Sequence, residues 1–137
     1  MLFRSKGNVI DTILYGASNF LGNFSPIIGV GMMFVFQFFF NFVIYSGSGQ
    51  AATTMPLMVP LADIIGVTRQ SAVIAFQLGD GLSNALWPTA GPLMAGLSIA
   101  EIPYSKWLKW FTPLIVIQFI MAIIFCGVCQ MTGLGPF

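Results

Sequence analysis

The fold is decided by residues 27–65, which read IIGVGMMFVFQFFFNFVIYSGSGQAATTMPLMVPLADII. The first part, residues 27–45, is an apolar run whose length as a helix, about 28 Å, nearly spans a bilayer core of about 30 Å. A polar break with two glycines, Ser46–Gln50, follows it. The next run, Ala51–Ile65, would be only about 22 Å long as a helix, which is too short to cross back.

The short second run predicts a re-entrant hairpin over residues 26–65, with both arms entering the membrane from one face and the Ser/Gly tip stopping inside it. Pro56 and Pro60 support this interpretation, because proline interrupts helices. A non-helical tip at membrane depth is tolerated only where protein buries it or where it lines a cavity. The alternative is an ordinary hydrophilic loop outside the membrane.

The composition of the chain indicates an integral membrane protein of one domain. Of its 137 residues, 57% are hydrophobic and 7% are charged, whereas a soluble domain carries about 25% charged residues. The mean hydropathy is +0.90. These values exclude a soluble enzyme, and the net charge of +1 offers no electrostatic footprint for a nucleic acid. Because the sequence contains no histidine, Ser-His-Asp catalysis is also excluded.

Residues 69–100 form a second apolar stretch that contains polar and helix-breaking residues. Gly79–Asn84 and Pro88–Pro92 hold the interruptions. A straight helix does not accommodate so many glycines and prolines, so we predict a discontinuous transmembrane helix. Its first half should end near residues 79–84, and its second half should begin near residues 89–92.

Three further segments complete the predicted all-α membrane fold. Residues 1–25 mix apolar and polar positions and predict an interfacial arm. Residues 101–110 contain tyrosine, tryptophan and lysine, which is typical of a membrane-interface belt. Residues 111–130 predict a plain spanning helix, with Pro113 in its first turn, where proline is well tolerated.

Asp80 is the residue that most strongly indicates a function. A carboxylate inside a membrane segment is costly unless it is paired, hydrated or protonated, and such residues commonly form ion, proton or substrate sites. The alternatives are that the segment is tilted, so that Asp80 lies near water, or that Asp80 pairs with Arg69.

The two polar breaks provide the other candidate site residues. A pair of interrupted segments points to the binding site of a transporter, although small polar residues also mediate ordinary helix packing. No catalytic residue and no cofactor are expected. A sodium ion near Ser48, Asp80 and Asn84 is one alternative for a coupling ion, and a proton on Asp80 is the other. The predicted substrate- or ion-binding residues are Ser46, Gly47, Ser48, Gly49, Gln50, Asp80, Ser83, Asn84, Pro88 and Thr89.

Several short motifs resemble those of the YfcC family of membrane carriers. This family belongs to the anaerobic four-carbon dicarboxylate (DcuC-like) carriers, within the ion transporter superfamily. The matching motifs are Ser46-Gly47-Ser48-Gly49-Gln50-Ala51-Ala52, Met55-Pro56-Leu57-Met58, Gly66-Val67-Thr68-Arg69-Gln70, Gly79-Asp80-Gly81 and Ser83-Asn84.

The resemblance implies a multi-pass secondary transporter of the cytoplasmic membrane, built from inverted repeats, of which this chain is the C-terminal repeat. The implied substrate is a dicarboxylate or an amino acid. Sodium-dicarboxylate relatives carry Ser-Asn-Thr where this chain has Ser46–Gly49, so the coupling ion stays open. The expected partners are the lipid bilayer, a small-molecule substrate, the missing N-terminal repeat and a second copy of the chain. The alternative function is a non-transporting anchor or assembly subunit, which would need neither polar break.

Overall fold

The computed structural model describes residues 15, 16, 19 and 24–134, so the predicted interfacial arm lies almost entirely outside the described residues. Residues 24–134 contain no strand, and this confirms the predicted all-α fold class. The helices in this range are α1 (Pro26–Phe40), α2 (Gly47–Ile65), α3 (Arg69–Ser83), α4 (Gly91–Ile99) and α5 (Tyr104–Thr132).

The arms of the predicted hairpin differ in length from the prediction. Helix α1 ends at Phe40, five residues before the end of the apolar run, and α2 begins at Gly47 rather than at Ala51. Ser46 explains the early start of α2, because its hydroxyl accepts a hydrogen bond from the Gly49 N–H at 3.3 Å and caps the helix. With 19 residues, α2 is about 28 Å long, and the 15-residue α1 is about 22 Å long. The premise that the second arm is too short to cross is therefore wrong.

Prolines interrupt the helices less than the sequence predicts. Pro56 and Pro60 lie inside α2 without ending it. Pro113 does not lie in a first turn, because α5 begins directly after Pro103 and includes Tyr104–Trp110 of the predicted interface belt. The belt and the predicted spanning helix therefore form one continuous helix of 29 residues.

The predicted break in residues 69–100 is present, and residues 84–90 separate α3 from α4. Two side chains of α5 donate hydrogen bonds to backbone carbonyls in this break. The Tyr104 hydroxyl donates to Leu86 O at 2.7 Å, and Trp107 Nε1 donates to Ala85 O at 3.2 Å. Because carbonyls beyond a helix end lack helical partners, these two donors stabilise the non-helical conformation.

Helix α1 packs against both α3 and α5, which also contact each other, and it supplies much of the buried core. The Phe119 ring on α5 lies 4.9 Å from the Phe34 ring and 5.0 Å from the Phe38 ring, centroid to centroid. On the α3 side, the backbones approach closely at Gly79. A Cβ atom at that position would lie 2.7 Å from Gln37 Cβ and 2.9 Å from Phe38 N. Only glycine allows α1 and α3 to pack at this distance.

The corner between α2 and α3 is fixed by the far end of α5. Gly66 ends α2 with a φ of 74°, a left-handed conformation that glycine adopts without strain. The Gln130 side chain bridges the corner, since Nε2 donates to Gly66 O at 3.1 Å and Oε1 accepts from the Thr68 N–H at 3.0 Å. One amide therefore connects α5 to both sides of the turn.

Among the described residues, α5 is the helix that is long and apolar enough to cross a membrane. It is about 43 Å long. Helix α1 is also apolar but has only 15 residues. The depth of the tip between α1 and α2 relative to a membrane stays a prediction.

Candidate functional site

The two polar breaks of the sequence meet at Asp80. This residue lies in the last turn of α3, and Gly47 is the first residue of α2. A Cβ atom at Gly47 would lie 2.9 Å from Asp80 Oδ2. The first turn of α2 and the last turn of α3 are therefore in contact, and glycine leaves the room that the carboxylate occupies.

Asn41 connects the last turn of α3 to the end of α1. It is the C-cap residue of α1 and is fully buried. Its Nδ2 atom lies 2.7 Å from Asp80 Oδ1, 3.1 Å from Asp80 O and 3.0 Å from Asn84 Oδ1. The ends of α1 and α3 are thus held together by one amide group.

A second group of hydrogen bonds lies one turn earlier on α1. Gln37 Nε2 donates to Thr54 Oγ1 at 3.0 Å, and Gln50 Nε2 donates to Gln37 O at 2.9 Å and to Gln37 Oε1 at 2.8 Å. The Thr54 hydroxyl in turn donates to Gln50 O at 2.9 Å. We refer to both groups together as the polar cluster. Its members are Gln37, Asn41, Gln50, Thr54, Asp80 and Asn84.

Gln37, Asn41 and Thr54 are not among the site residues predicted from the sequence. Gln37 and Asn41 are two amides within an apolar run, and Thr54 follows Gln50 by four residues. Residues four apart lie on the same face of a helix. This spacing was the available signal, because a polar stripe on a largely apolar helix must face polar partners or water.

The predicted tip residues form the start of α2 rather than a loop. Ser46 and Ser48 are exposed, and their hydroxyl oxygens lie 3.3 Å apart. Gln50 is fully buried, and its backbone N–H donates to Ser46 O at 2.7 Å. The N–H groups of Gly47 and Ser48 have no acceptor among the described residues. They are free to bind an anionic group, which the positive end of the helix dipole favours.

The predicted residues of the second break divide into two sets. Ser83 is buried and its hydroxyl donates to Gly79 O at 2.6 Å, so it is used within α3. Asn84 caps α3 and accepts from the Asn41 amide. Pro88 and Thr89 lie exposed at the far end of the break, and among the described residues no hydrogen bond joins them to the polar cluster. The binding role of each of these residues stays a prediction.

Asp80 does not pair with Arg69. The Arg69 guanidinium makes two hydrogen bonds to the Asp63 carboxylate, at 2.9 and 2.8 Å, on the exposed corner between α2 and α3. Asp80 lies eleven residues further along α3, which is about 16 Å. The Asp80–Arg69 alternative is therefore wrong. Within residues 24–134 the Asp80 carboxylate has no cationic partner.

Comparison with known proteins relates the chain to carriers. The family model of the C4-dicarboxylate anaerobic carriers, DcuC, matches residues 1–131. The chain is 41% identical over 126 residues to the putative basic amino acid antiporter YfcC of Escherichia coli K12, covering 92% of this chain and 25% of that protein. It is 34% identical over 115 residues to an uncharacterized protein of Haemophilus influenzae, covering 83% of this chain and 22% of that protein. The chain thus spans about a quarter of the length of these curated relatives.

The fold is similar to part of a solved transporter. The YdaH transporter of Alcanivorax borkumensis superposes with a TM-score of 0.80 at 16% identity, covering 92% of this chain and 28% of that chain. At this identity the similarity shows the fold alone. Membership of the family, in contrast, is shown by the family model that matches residues 1–131 and by the relative that is 41% identical. Both confirm the family predicted from the sequence motifs. The chain belongs to the C4-dicarboxylate anaerobic carrier (DcuC) family of membrane transporters.

Proposed function

We propose that the chain is the C-terminal repeat of a multi-pass secondary carrier of the inner membrane. In this proposal it binds a small solute that bears a carboxylate, and an amino acid is the first candidate. The observation that carries the proposal is the contact between the start of α2 and the end of α3, where a Cβ atom at Gly47 would lie 2.9 Å from Asp80 Oδ2. Transporter sites are commonly built where two interrupted segments meet.

The chemistry of this contact suits a solute with charges of both signs. The free N–H groups of Gly47 and Ser48 stand at the positive end of α2 and favour a carboxylate. The Asp80 carboxylate, directly beside them and only partly exposed, favours an ammonium group. An α-amino acid carries both groups on its α carbon, so it can contact both parts of the site at once.

A dicarboxylate is the second candidate, because the family is described as one of C4-dicarboxylate carriers. The start of α2 can accept one of its carboxylates. The second carboxylate would meet the like charge of Asp80 unless that residue is protonated. The similar YfcC protein carries the name of a putative basic amino acid antiporter, which agrees with the amino acid as the first candidate.

A non-transporting anchor does not account for the polar cluster. Burying amide, hydroxyl and carboxylate groups together stabilises a fold less well than apolar packing unless every group finds a partner. An anchor gains nothing from such a cluster. In this proposal the partners are the lipid bilayer, the remaining segments of the carrier and a second copy of the chain.

Uptake measurements in proteoliposomes test the proposal. We expect the complete carrier that contains this chain to take up radiolabelled arginine or lysine saturably, with succinate competing weakly. The chain alone is the control and should give no saturable uptake, because its polar breaks need the other repeat to cover them. If succinate uptake were saturable and excess arginine left it unchanged, an amino acid would not be the substrate. Robust uptake by the chain alone would contradict the proposal that the chain is one repeat of a larger carrier.

Gly47→Ala should disturb the site without breaking a helix. The new methyl group would displace Asp80 Oδ2, so we expect the Michaelis constant for uptake to rise by roughly tenfold, the effect of weakening one charged contact by about 1.4 kcal/mol. Gly81→Ala is the control, because a Cβ there would meet nothing within 4 Å among the described residues. Equal transport kinetics in the two variants would show that the Gly47–Asp80 contact does not shape the site.

A further inference from the structure

An open groove lies beside the first turns of α5. It has a volume of about 380 Å³, and the residues that line it are Ile102, Lys106, Trp107 and Trp110. Trp107 is held in place, because its Nε1 donates to Ala85 O and its ring stacks on the buried Phe111 ring at a centroid distance of 5.0 Å. Trp110 points away from the core and is 71% exposed. One wall of the groove is thus fixed, and the other is open to the surroundings.

The uncharged length of α5 places this groove at the depth of the lipid headgroups. Lys109 is the last charged residue of the sequence, so residues 110–132 of α5 carry no charge. This part of the helix is about 35 Å long, which is enough to cross a hydrocarbon core of about 30 Å. The preceding turns of α5 therefore lie at the membrane surface, where tryptophan and lysine are enriched.

Two lysines at the groove lack a counter-charge. Lys106 lines the groove, and Lys109 follows three residues later, so the two side chains occupy neighbouring positions on the surface of α5. Within residues 24–134 neither lysine forms an ion pair, and Glu101, the nearest acid in the sequence, pairs with neither of them. Like charges this close on a helix repel each other, so an anion that binds between them stabilises the start of α5.

We propose that this groove binds an anionic phospholipid, whose phosphate lies between Lys106 and Lys109 and whose acyl chain lies against Ile102 and the two tryptophans. Lysines at the membrane surface attract anionic headgroups. The Trp110 indole N–H has no acceptor within residues 24–134 and can donate to a phosphate or ester oxygen of the lipid. No residue of the groove belongs to the polar cluster, so the proposal does not depend on which solute is carried.

A phospholipid accounts for this groove better than another helix of the carrier does. A covering helix would bury the Lys106 ammonium group and would have to supply a carboxylate for it, because burying an unpaired charge is costly. A free phosphate would bind the lysines but leave the apolar surface of Ile102 and Trp110 uncovered. An anionic phospholipid carries the negative charge and the apolar chain in one molecule, and a bilayer presents them at the depth where the groove lies.

Photo-crosslinking of the complete carrier in phosphatidylcholine nanodiscs tests the lipid site. Two trace probes carry the same diazirine-labelled acyl chain, one on phosphatidylglycerol and the other on phosphatidylcholine, and peptide mass spectrometry measures the label in residues 102–110. The phosphatidylglycerol probe should give about tenfold more label or better, because each lysine near the membrane surface strengthens the binding of an anionic lipid by about fivefold. Soluble glycerol phosphate should not reduce this label, because it lacks the acyl chain.

Three variants locate the headgroup. Lys106→Gln should lower the ratio of phosphatidylglycerol label to phosphatidylcholine label by about fivefold, whereas Lys106→Arg keeps the charge and should keep the ratio. Arg69→Gln is the control, because it also removes one exposed positive charge, but from the α2–α3 corner, which Gln130 connects to the other end of α5. The ratio should be the same in Arg69→Gln as in the unchanged carrier.

Four results decide the proposal. Equal labelling of residues 102–110 by the two probes would overturn it, and so would an unchanged ratio in Lys106→Gln. Absence of label from these residues would show that other segments of the carrier cover the groove, and displacement by glycerol phosphate would show an anion site that needs no lipid. Either of these would also overturn it. Retention of the label ratio in a carrier that takes up no amino acid would support the lipid site while contradicting the proposed function.

Discussion

Asp80→Asn should strongly reduce substrate uptake by the complete carrier while leaving its expression and membrane insertion intact. The asparagine side chain keeps the size of the aspartate and can still face the Asn41 amide at Oδ1, so helices α1 and α3 remain packed. What it removes is the charge beside Gly47. A hydrogen bond to a charged group contributes about 1.5–3 kcal/mol, so uptake should fall by roughly 10- to 100-fold.

Asp63→Asn is the control for Asp80→Asn. Asp63 is also an aspartate, but it is exposed and pairs with Arg69 on the α2–α3 corner. Exposed ion pairs contribute little to stability, so Asp63→Asn should transport at close to the normal rate. Initial rates in proteoliposomes, normalised to the amount of inserted protein, provide the measurement. Normal transport and normal ion dependence in Asp80→Asn would mean that the residue is structural.

Gly79→Ala should destabilise the chain more than any other glycine-to-alanine change in α3. The added methyl group would lie 2.7 Å from Gln37 Cβ, 2.9 Å from Phe38 N and 3.1 Å from Phe34 O. Two of these atoms belong to the backbone of α1, so the helices must move apart. Overpacking of this kind costs about 1–3 kcal/mol, although alanine has the higher helix propensity.

Gly81→Ala supplies a control two residues away on the same helix. A Cβ atom at Gly81 meets nothing within 4 Å among the described residues. Its replacement should therefore stabilise α3 by roughly 0.5–1 kcal/mol through helix propensity alone. The thermal unfolding midpoint should fall for Gly79→Ala and stay or rise for Gly81→Ala. If the two variants shifted the midpoint equally, close packing at Gly79 would not hold α1 against α3.

The discontinuous helix was predictable because its signals are local. Glycine, asparagine and proline residues concentrate within residues 79–92, and the observed break at residues 84–90 falls inside that window. The ends of the hairpin arms were less predictable. Hydropathy continues through Asn41–Tyr45, where the chain turns, so the apolar run does not reveal where α1 ends. The cap formed by Ser46 was readable in principle, since serine commonly begins helices.

The sequence by itself determined that this is an all-helical membrane chain with two polar interruptions and one unusual carboxylate. The composition, the helix-breaking residues and the apolar stretches around Asp80 can all be recognised without knowing which distant segments meet in the fold. Only the tertiary structure decided which polar groups meet. Asn41 and Asp80 are 39 residues apart and come within hydrogen-bond distance because Gly79 lets α1 and α3 approach closely. That contact depends on how the surfaces of two helices fit together. The sequence of one helix does not specify the surface of the other, so neither segment predicts the contact by itself.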